Sequence, residues 1–77
     1  MIIYTTSWCG FCHRLKRQLE RDGVAFREVD IERDPAAASL VMSLNQGNAT
    51  VPTVVFADGS SATNPTAAEV RSRIAAA

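Results

Sequence analysis

The chain has 77 residues, and its eight basic and eight acidic side chains cancel to a formal net charge of zero. A chain of this mass buries about three-fifths of its unfolded surface, which allows one small domain over residues 1–77. The balanced charge argues against the single-sign field that nucleic acid or an anionic membrane surface selects.

Ile2-Ile3-Tyr4-Thr5 is a run of β-branched and aromatic residues closed by Thr6-Ser7, which predicts a buried first strand. From Cys9 to Asp22 the apolar positions Cys12, Leu15 and Leu19 recur at helical spacing, with Arg14, Arg17, Gln18 and Arg21 on other faces and Gly23 as the stop. Val24 to Ile31 predicts a second strand, although Phe26 and Val29 are out of phase for simple alternation. Asp34-Pro35 is a cap-then-Pro start signal for a second helix over Ala36 to Gln46, whose stripe is Leu40, Val41 and Leu44. Thr53 to Phe56 predicts the third strand, Asp58-Gly59 a hairpin turn, and Ser61-Ala62-Thr63 a short antiparallel fourth strand. Asn64-Pro65 repeats the start signal before a closing helix with Ala67, Val70 and Ile74 on one face.

The order βαβαββα places the chain in the α/β class. A right-handed crossover makes the first two strands parallel, and the hairpin adds two more to give a central four-stranded mixed sheet flanked by helices. This is the minimal thioredoxin-like arrangement. Reactive groups in such sheets belong at the carboxyl ends of strands, and the junction of the first strand with the first helix holds Cys9 and Cys12.

These are the only cysteines, too few and too close for a disulfide framework. No stretch approaches the ~18 apolar residues of a membrane span, and Met1 runs into Ile2-Ile3-Tyr4 without a basic region and an apolar leader, so the cytoplasm is the expected location. In a reducing compartment the pair points to chemistry. Unpaired N–H groups and the macrodipole at a helix start favour negative charge on Cys9, and the two-residue spacing brings Cys12 round by one turn, within disulfide reach. Cys9 is then the attacking sulfur and Cys12 the resolving one, exchanging through a mixed disulfide. A structural zinc needs four ligands, and His13 is the one further soft ligand. Cys9-Gly10-Phe11-Cys12-His13 also satisfies the attachment pattern of a c-type haem, with His13 axial and Met42 a second ligand. Five residues alone do not exclude it. The strand-rich pattern and the absence of an export signal stand against it.

Trp8-Cys9-Gly10-Phe11-Cys12, Thr50-Val51-Pro52 before a Val-rich strand, and the final hairpin with its helix resemble the glutaredoxin-type members of the thioredoxin superfamily over essentially the whole chain. More narrowly, Tyr4 to Cys12, Glu28-Val29-Asp30-Ile31-Glu32, Gly47 to Val54, Phe56 to Ser60 and Thr63-Asn64-Pro65 are similar to the mycoredoxin family. The resemblance implies a monomeric reductase, with no bound cofactor or metal, of mixed disulfides between proteins and mycothiol. Cys9 would be mycothiolated and released by a second mycothiol, which a mycothiol disulfide reductase recycles with NADPH; Cys12 could instead form an intramolecular disulfide. The resemblance further implies that Pro52 is cis and faces Cys9, and that the Val51 backbone offers its N–H and C=O to substrate as an added strand.

Glutathione-using glutaredoxins commonly carry Lys three positions before the first cysteine and a Gly-Gly pair before the last helix; here the residues are Thr6 and Thr63-Asn64-Pro65. The hydroxyl of Thr63 and the amide of Asn64 suit a sugar-like, uncharged thiol, while Asn64 is equally a helix cap. Trp8 is a stacking surface at the mouth of the site, and Phe11 replaces the Pro of many thioredoxins. Arg14, Lys16 and Arg17 on the helix, and the acidic run Glu28, Asp30, Glu32 and Asp34, read as solvated faces. Two other activities fit the same motif. One is a dithiol glutaredoxin or thioredoxin-like donor reduced by thioredoxin reductase, the other an iron–sulfur carrier holding a cluster between two chains.

Overall fold

β1 (Ile2–Thr5) is one of two inner strands of the sheet, in a computed structural model that describes residues 1–76. After it come α1 (Gly10–Arg21), β2 (Arg27–Asp30), α2 (Pro35–Leu44), β3 (Thr53–Val55), β4 (Ser61–Thr63) and α3 (Ala67–Ala76), the expected βαβαββα order. The sheet runs β2-β1-β3-β4, with β1 parallel to β2 and the other pairs antiparallel. In this register Ile3 lies opposite Glu28 on one side and Val54 on the other.

Alternation along β1 and β3 divides the core in two. Ile3 and Val54 face α1 and α3, where they pack with Leu15, Leu19, Phe56, Ala67 and Val70. Tyr4 faces α2, joining Ile31, Ala37 and Val41, with Val51 and Val55 packed against them. The awkward phase of the second strand has its explanation here. Phe26 precedes β2 and packs on the α1/α3 side, whereas Val29, an odd number of residues later, packs on the α2 side.

β2 starts later than the predicted Val24 because α1 keeps that residue. Gly23, at φ 72°, donates its N–H to the Glu20 carbonyl, and Val24 donates to Leu19 at 3.0 Å, the paired closure of a helix ending on a left-handed glycine. Strand pairing begins only when Arg27 donates to the Met1 carbonyl, and it ends where Asp30 accepts from Glu32 N–H in a turn.

α2 is capped by Asp34, whose carboxylate accepts from Ala37 N–H at 3.1 Å, with Pro35 in the first turn as expected. Its far end corrects the predicted boundary. Asn45 is the cap, and Gln46 and Gly47 have left-handed backbones beyond the helix. The stripe is corrected as well, since Ala37 and Val41 are buried while Leu40 and Leu44 are about 40% exposed. One helix alone covers this sheet face, and contact through the small Ala37 leaves room for a single narrow ridge. Ile74 in α3 is likewise exposed rather than part of the core: the Arg73 guanidinium stacks 4.3 Å from the centroid of the Phe56 ring and covers that end of the sheet. The side-chain cap of α3 is Thr66, whose hydroxyl oxygen accepts from Glu69 N–H, instead of Asn64.

Candidate active site

The chain leaves β1 through Thr6-Ser7-Trp8 and enters α1 with Cys9 in the N-cap position, at φ −84° and ψ 109°. A sulfur replaces the usual cap oxygen: Cys9 Sγ accepts from Cys12 N–H at 3.1 Å. This contact holds the sulfur against the unpaired amides of the first turn, where negative charge is favoured. Both cysteines are free thiols. Cys9 keeps 5% exposure at the surface end of the pair, and Cys12, one turn deeper, has none. Burial pushes the Cys12 thiol up to about 12, helped by its donation to the Cys9 sulfur and by the Cys9 charge. The Thr6 backbone N–H and the Lys16 ammonium pull the other way with smaller effect.

Facing Cys9 across the site is the loop before β3. The Val51–Pro52 peptide is cis, in keeping with the resemblance, and Cys9 Sγ lies 3.8 Å from the Val51 carbonyl oxygen. Four hydrogen bonds hold this loop and its anchor. Thr53 Oγ1 donates to the Thr50 carbonyl at 2.7 Å, and Asn45 Nδ2 donates to Thr53 Oγ1 and to the Val41 carbonyl. Asn64 N–H donates to the Pro52 carbonyl at 2.7 Å. The Asn64 backbone is left-handed, at φ 47°, a conformation that Asn tolerates better than most residues. Thr63 also enters the network, its hydroxyl donating to Asn45 Oδ1. The rim is apolar, with Trp8 70% and Phe11 66% exposed.

A thiol at a helix start, a buried partner one turn on and a cis-proline loop opposite form a site for thiol–disulfide exchange. Comparison with known proteins agrees. The family model described as Glutaredoxin matches residues 1–61. The chain belongs to the glutaredoxin family. It is 58% identical to a provisionally named glutaredoxin of Mycobacterium tuberculosis H37Rv, over 96% of this chain and 88% of that protein. It is 46% identical to Mycoredoxin 1 of Corynebacterium glutamicum, over 96% of this chain and 91% of that one. Glutaredoxin 3 of Escherichia coli K12 is 40% identical over 68% of this chain and 61% of its own length.

Several features of this glutaredoxin site were not expected from residue patterns. Lys16 is largely buried and donates to Glu28 at 2.6 Å, and the same Glu28 oxygen accepts from Thr5 Oγ1 at 2.7 Å. The Lys16 ammonium is the main cause that holds the Glu28 carboxyl below its ordinary value. Neither residue is merely a solvated charge, and Asp34 of the same acidic run is a helix cap. Arg14 and Arg17 stay exposed. His13 is exposed and donates from Nε2 to the Ser7 carbonyl at 3.0 Å, which braces the turn ahead of Cys9. Asn45, which ties α2, β3 and β4 behind the cis-proline, carries no sequence signal except its place after a helix. Among the described residues, Thr6 Oγ1 is buried without a hydrogen-bond partner, and no three His, Cys, Asp or Glu side chains converge as metal ligands. No helix among them is long and apolar enough to cross a membrane.

Proposed function

We propose that the protein is a single-domain, monomeric, cytoplasmic reductase of mixed disulfides between protein cysteines and mycothiol. The observation that carries the thiol chemistry is the Cys9 sulfur held at the start of α1 by the Cys12 amide, 3.8 Å from the Val51 carbonyl. The choice of mycothiol is supported by likeness to Mycoredoxin 1 along 96% of the chain and by Thr6 and Asn64 at positions where glutathione users differ.

In the first step the Cys9 thiolate attacks the mycothiol sulfur of the mixed disulfide. That bond breaks, the substrate's protein thiolate leaves and takes a proton from water, and Cys9 becomes mycothiolated. A second mycothiol thiolate then attacks the Cys9–mycothiol bond, releasing mycothiol disulfide and restoring the Cys9 thiolate. A mycothiol disulfide reductase returns that product to two thiols with electrons from NADPH. Cys12 can act in place of the second mycothiol. Its deep burial, the largest cause that raises the Cys12 thiol, favours the external thiol. Trp8 and Phe11 supply apolar faces to the incoming disulfide, and the Val51 backbone and Pro52 align its chain. Asn64, on the loop tied to Pro52, is the candidate contact for the thiol co-substrate, whereas the Thr63 hydroxyl is already donated to Asn45 Oδ1.

The test is turnover of one S-mycothiolated protein by the purified chain, with mycothiol and its reductase compared with the glutathione and thioredoxin systems. Turnover with mycothiol alone is the expected result, whereas reduction only through thioredoxin reductase makes the protein a thioredoxin-like donor. Cys9→Ser abolishes turnover, and Cys12→Ser retains most of it; activity in the first variant, or complete loss in the second, contradicts the proposed cycle.

A further inference from the structure

Asn45 caps α2 and stands half-buried behind the loop that faces Cys9. Its amide nitrogen donates to the Val41 carbonyl at 2.9 Å and to Thr53 Oγ1 at 3.1 Å, and its amide oxygen accepts from the Thr63 hydroxyl. Thr53 is fully buried and passes the tie onward, for its hydroxyl donates to the Thr50 carbonyl at 2.7 Å, one residue ahead of Val51. On the other side of the loop Asn64 N–H holds the Pro52 carbonyl. Val51 stands between these two ties. Its carbonyl lies 3.8 Å from Cys9 Sγ, and among the described residues its N–H donates to no protein acceptor, so its backbone is open to an added strand.

We propose that Asn45 is a positioning residue: acting through Thr53, it fixes the Val51 backbone where an extended peptide meets it, and so sets the preference of the site for a disulfide borne on a peptide over one without amides. The inference rests on thiol exchange at Cys9 and on the added-strand role of Val51, and it is independent of which small thiol completes the cycle. The chemistry of the amide fits this role. Val41 offers a carbonyl oxygen and the Thr53 proton is already given to Thr50, so both need a donor, while the Thr63 hydroxyl needs an acceptor. A short amide carries both kinds of group, whereas Asp would set an oxygen against the Val41 carbonyl and Leu would fill the space without a bond. Donation from Asn45 also aims the Thr53 proton at Thr50 and strengthens that bond. A hydrogen bond from substrate to Val51 tolerates a spread of about half an ångström in length. A loosened loop loses it, and a disulfide without amides has no such bond to lose.

The experiment follows release of thionitrobenzoate from two mixed disulfides by the reduced protein, one on the cysteine of a capped tripeptide and the other on mercaptoethanol. The Cys9 thiolate attacks the carrier sulfur, the bond to thionitrobenzoate breaks, and the coloured thiolate leaves while Cys9 keeps the carrier as a mixed disulfide. Because one sulfur attacks both probes, any change in its charge cancels in the ratio of the two rate constants. Dividing by the ratio for free N-acetylcysteine removes the intrinsic reactivity of the probes. The wild type is compared with Asn45→Leu, Thr53→Val and the double variant, and urea unfolding verifies each fold. The wild type is expected to favour the peptide. That preference should fall about tenfold in either single variant, the effect of losing one or two hydrogen bonds to substrate, and no further in the double variant, since the two side chains act along one path. Asn45→Asp, which keeps the acceptor for Thr63 and loses both donors, is expected to match Asn45→Leu. An unchanged preference, equal losses with both probes, or a further fall in the double variant overturns the assignment. A wild type with no preference for the peptide removes the added-strand role of Val51, and this assignment with it, while thiol exchange at Cys9 stands.

Discussion

Cys12 carries a quantitative prediction about stability in alkali. Its thiol moves from an ordinary 9.0 to about 12, mainly because the folded chain gives the sulfur no exposure to water. Above pH 9 the unfolded chain releases this proton and the folded chain keeps it, so the unfolded state binds fewer protons and stability falls as pH rises. The contribution is fully present below pH 9 and is lost progressively between 9 and 12. With those two values the loss between pH 9 and pH 10 is about 1 kcal/mol, approaching the limiting slope of about 1.4 kcal/mol per pH unit. Urea unfolding of the wild type and of Cys12→Ala at pH 8, 9 and 10 reads the Cys12 thiol together with its coupling to Cys9, the remaining titrating groups being common to both. At a slope near 1 kcal/mol per molar urea, the gap between the two midpoints should change by about 1 M between pH 9 and pH 10. Parallel pH profiles for the two proteins would refute the reasoning. They would mean that Cys12 ionises as an ordinary thiol in the reduced pair.

Three further outcomes can be checked. Leu19→Ala removes a fully buried side chain from the α1/α3 core and should cost about 3 kcal/mol by urea unfolding; a loss below 1 kcal/mol would show that the site collapses around the gap. Thr66→Ala should cost about 1 kcal/mol, because the Glu69 amide loses its cap, and an unchanged midpoint would assign the capping elsewhere. Glu28 has a carboxyl held below its ordinary 4.5 by Lys16, so it stabilises the fold above that pH and stops doing so as acid titrates it. Glu28→Gln should flatten the stability profile below about pH 4.5, and an acid limb as steep as that of the wild type would contradict the pairing.

Local order was legible where one short segment carried the whole signal. The run at residues 2–5, the Asp34-Pro35 cap, the Asp58-Gly59 turn and the cysteine pair at a strand-to-helix junction each depend on neighbours within a few residues. Periodicity also placed Cys12, Leu15 and Leu19 on the buried face of α1. It failed for Leu40, Leu44 and Ile74, since hydrophobicity marks residues able to be buried and the width of the contact decides which of them are.

The candidate site divides in the same way. From the sequence alone came the identity of the two sulfurs, their spacing, and the helix start that holds the first, because amino-acid type and i, i+3 geometry are properties of the chain itself. Tertiary structure decided what meets them. The Val51 carbonyl approaches Cys9 from 42 residues away, Glu28 reaches Lys16 across twelve, and Asn45 reaches Thr63 across eighteen. The depth of Cys12, and with it the rise of its thiol to about 12, belongs to this second group. Burial is the joint product of sheet and helix packing, and a linear pattern records which residues can pack without recording which will face one another.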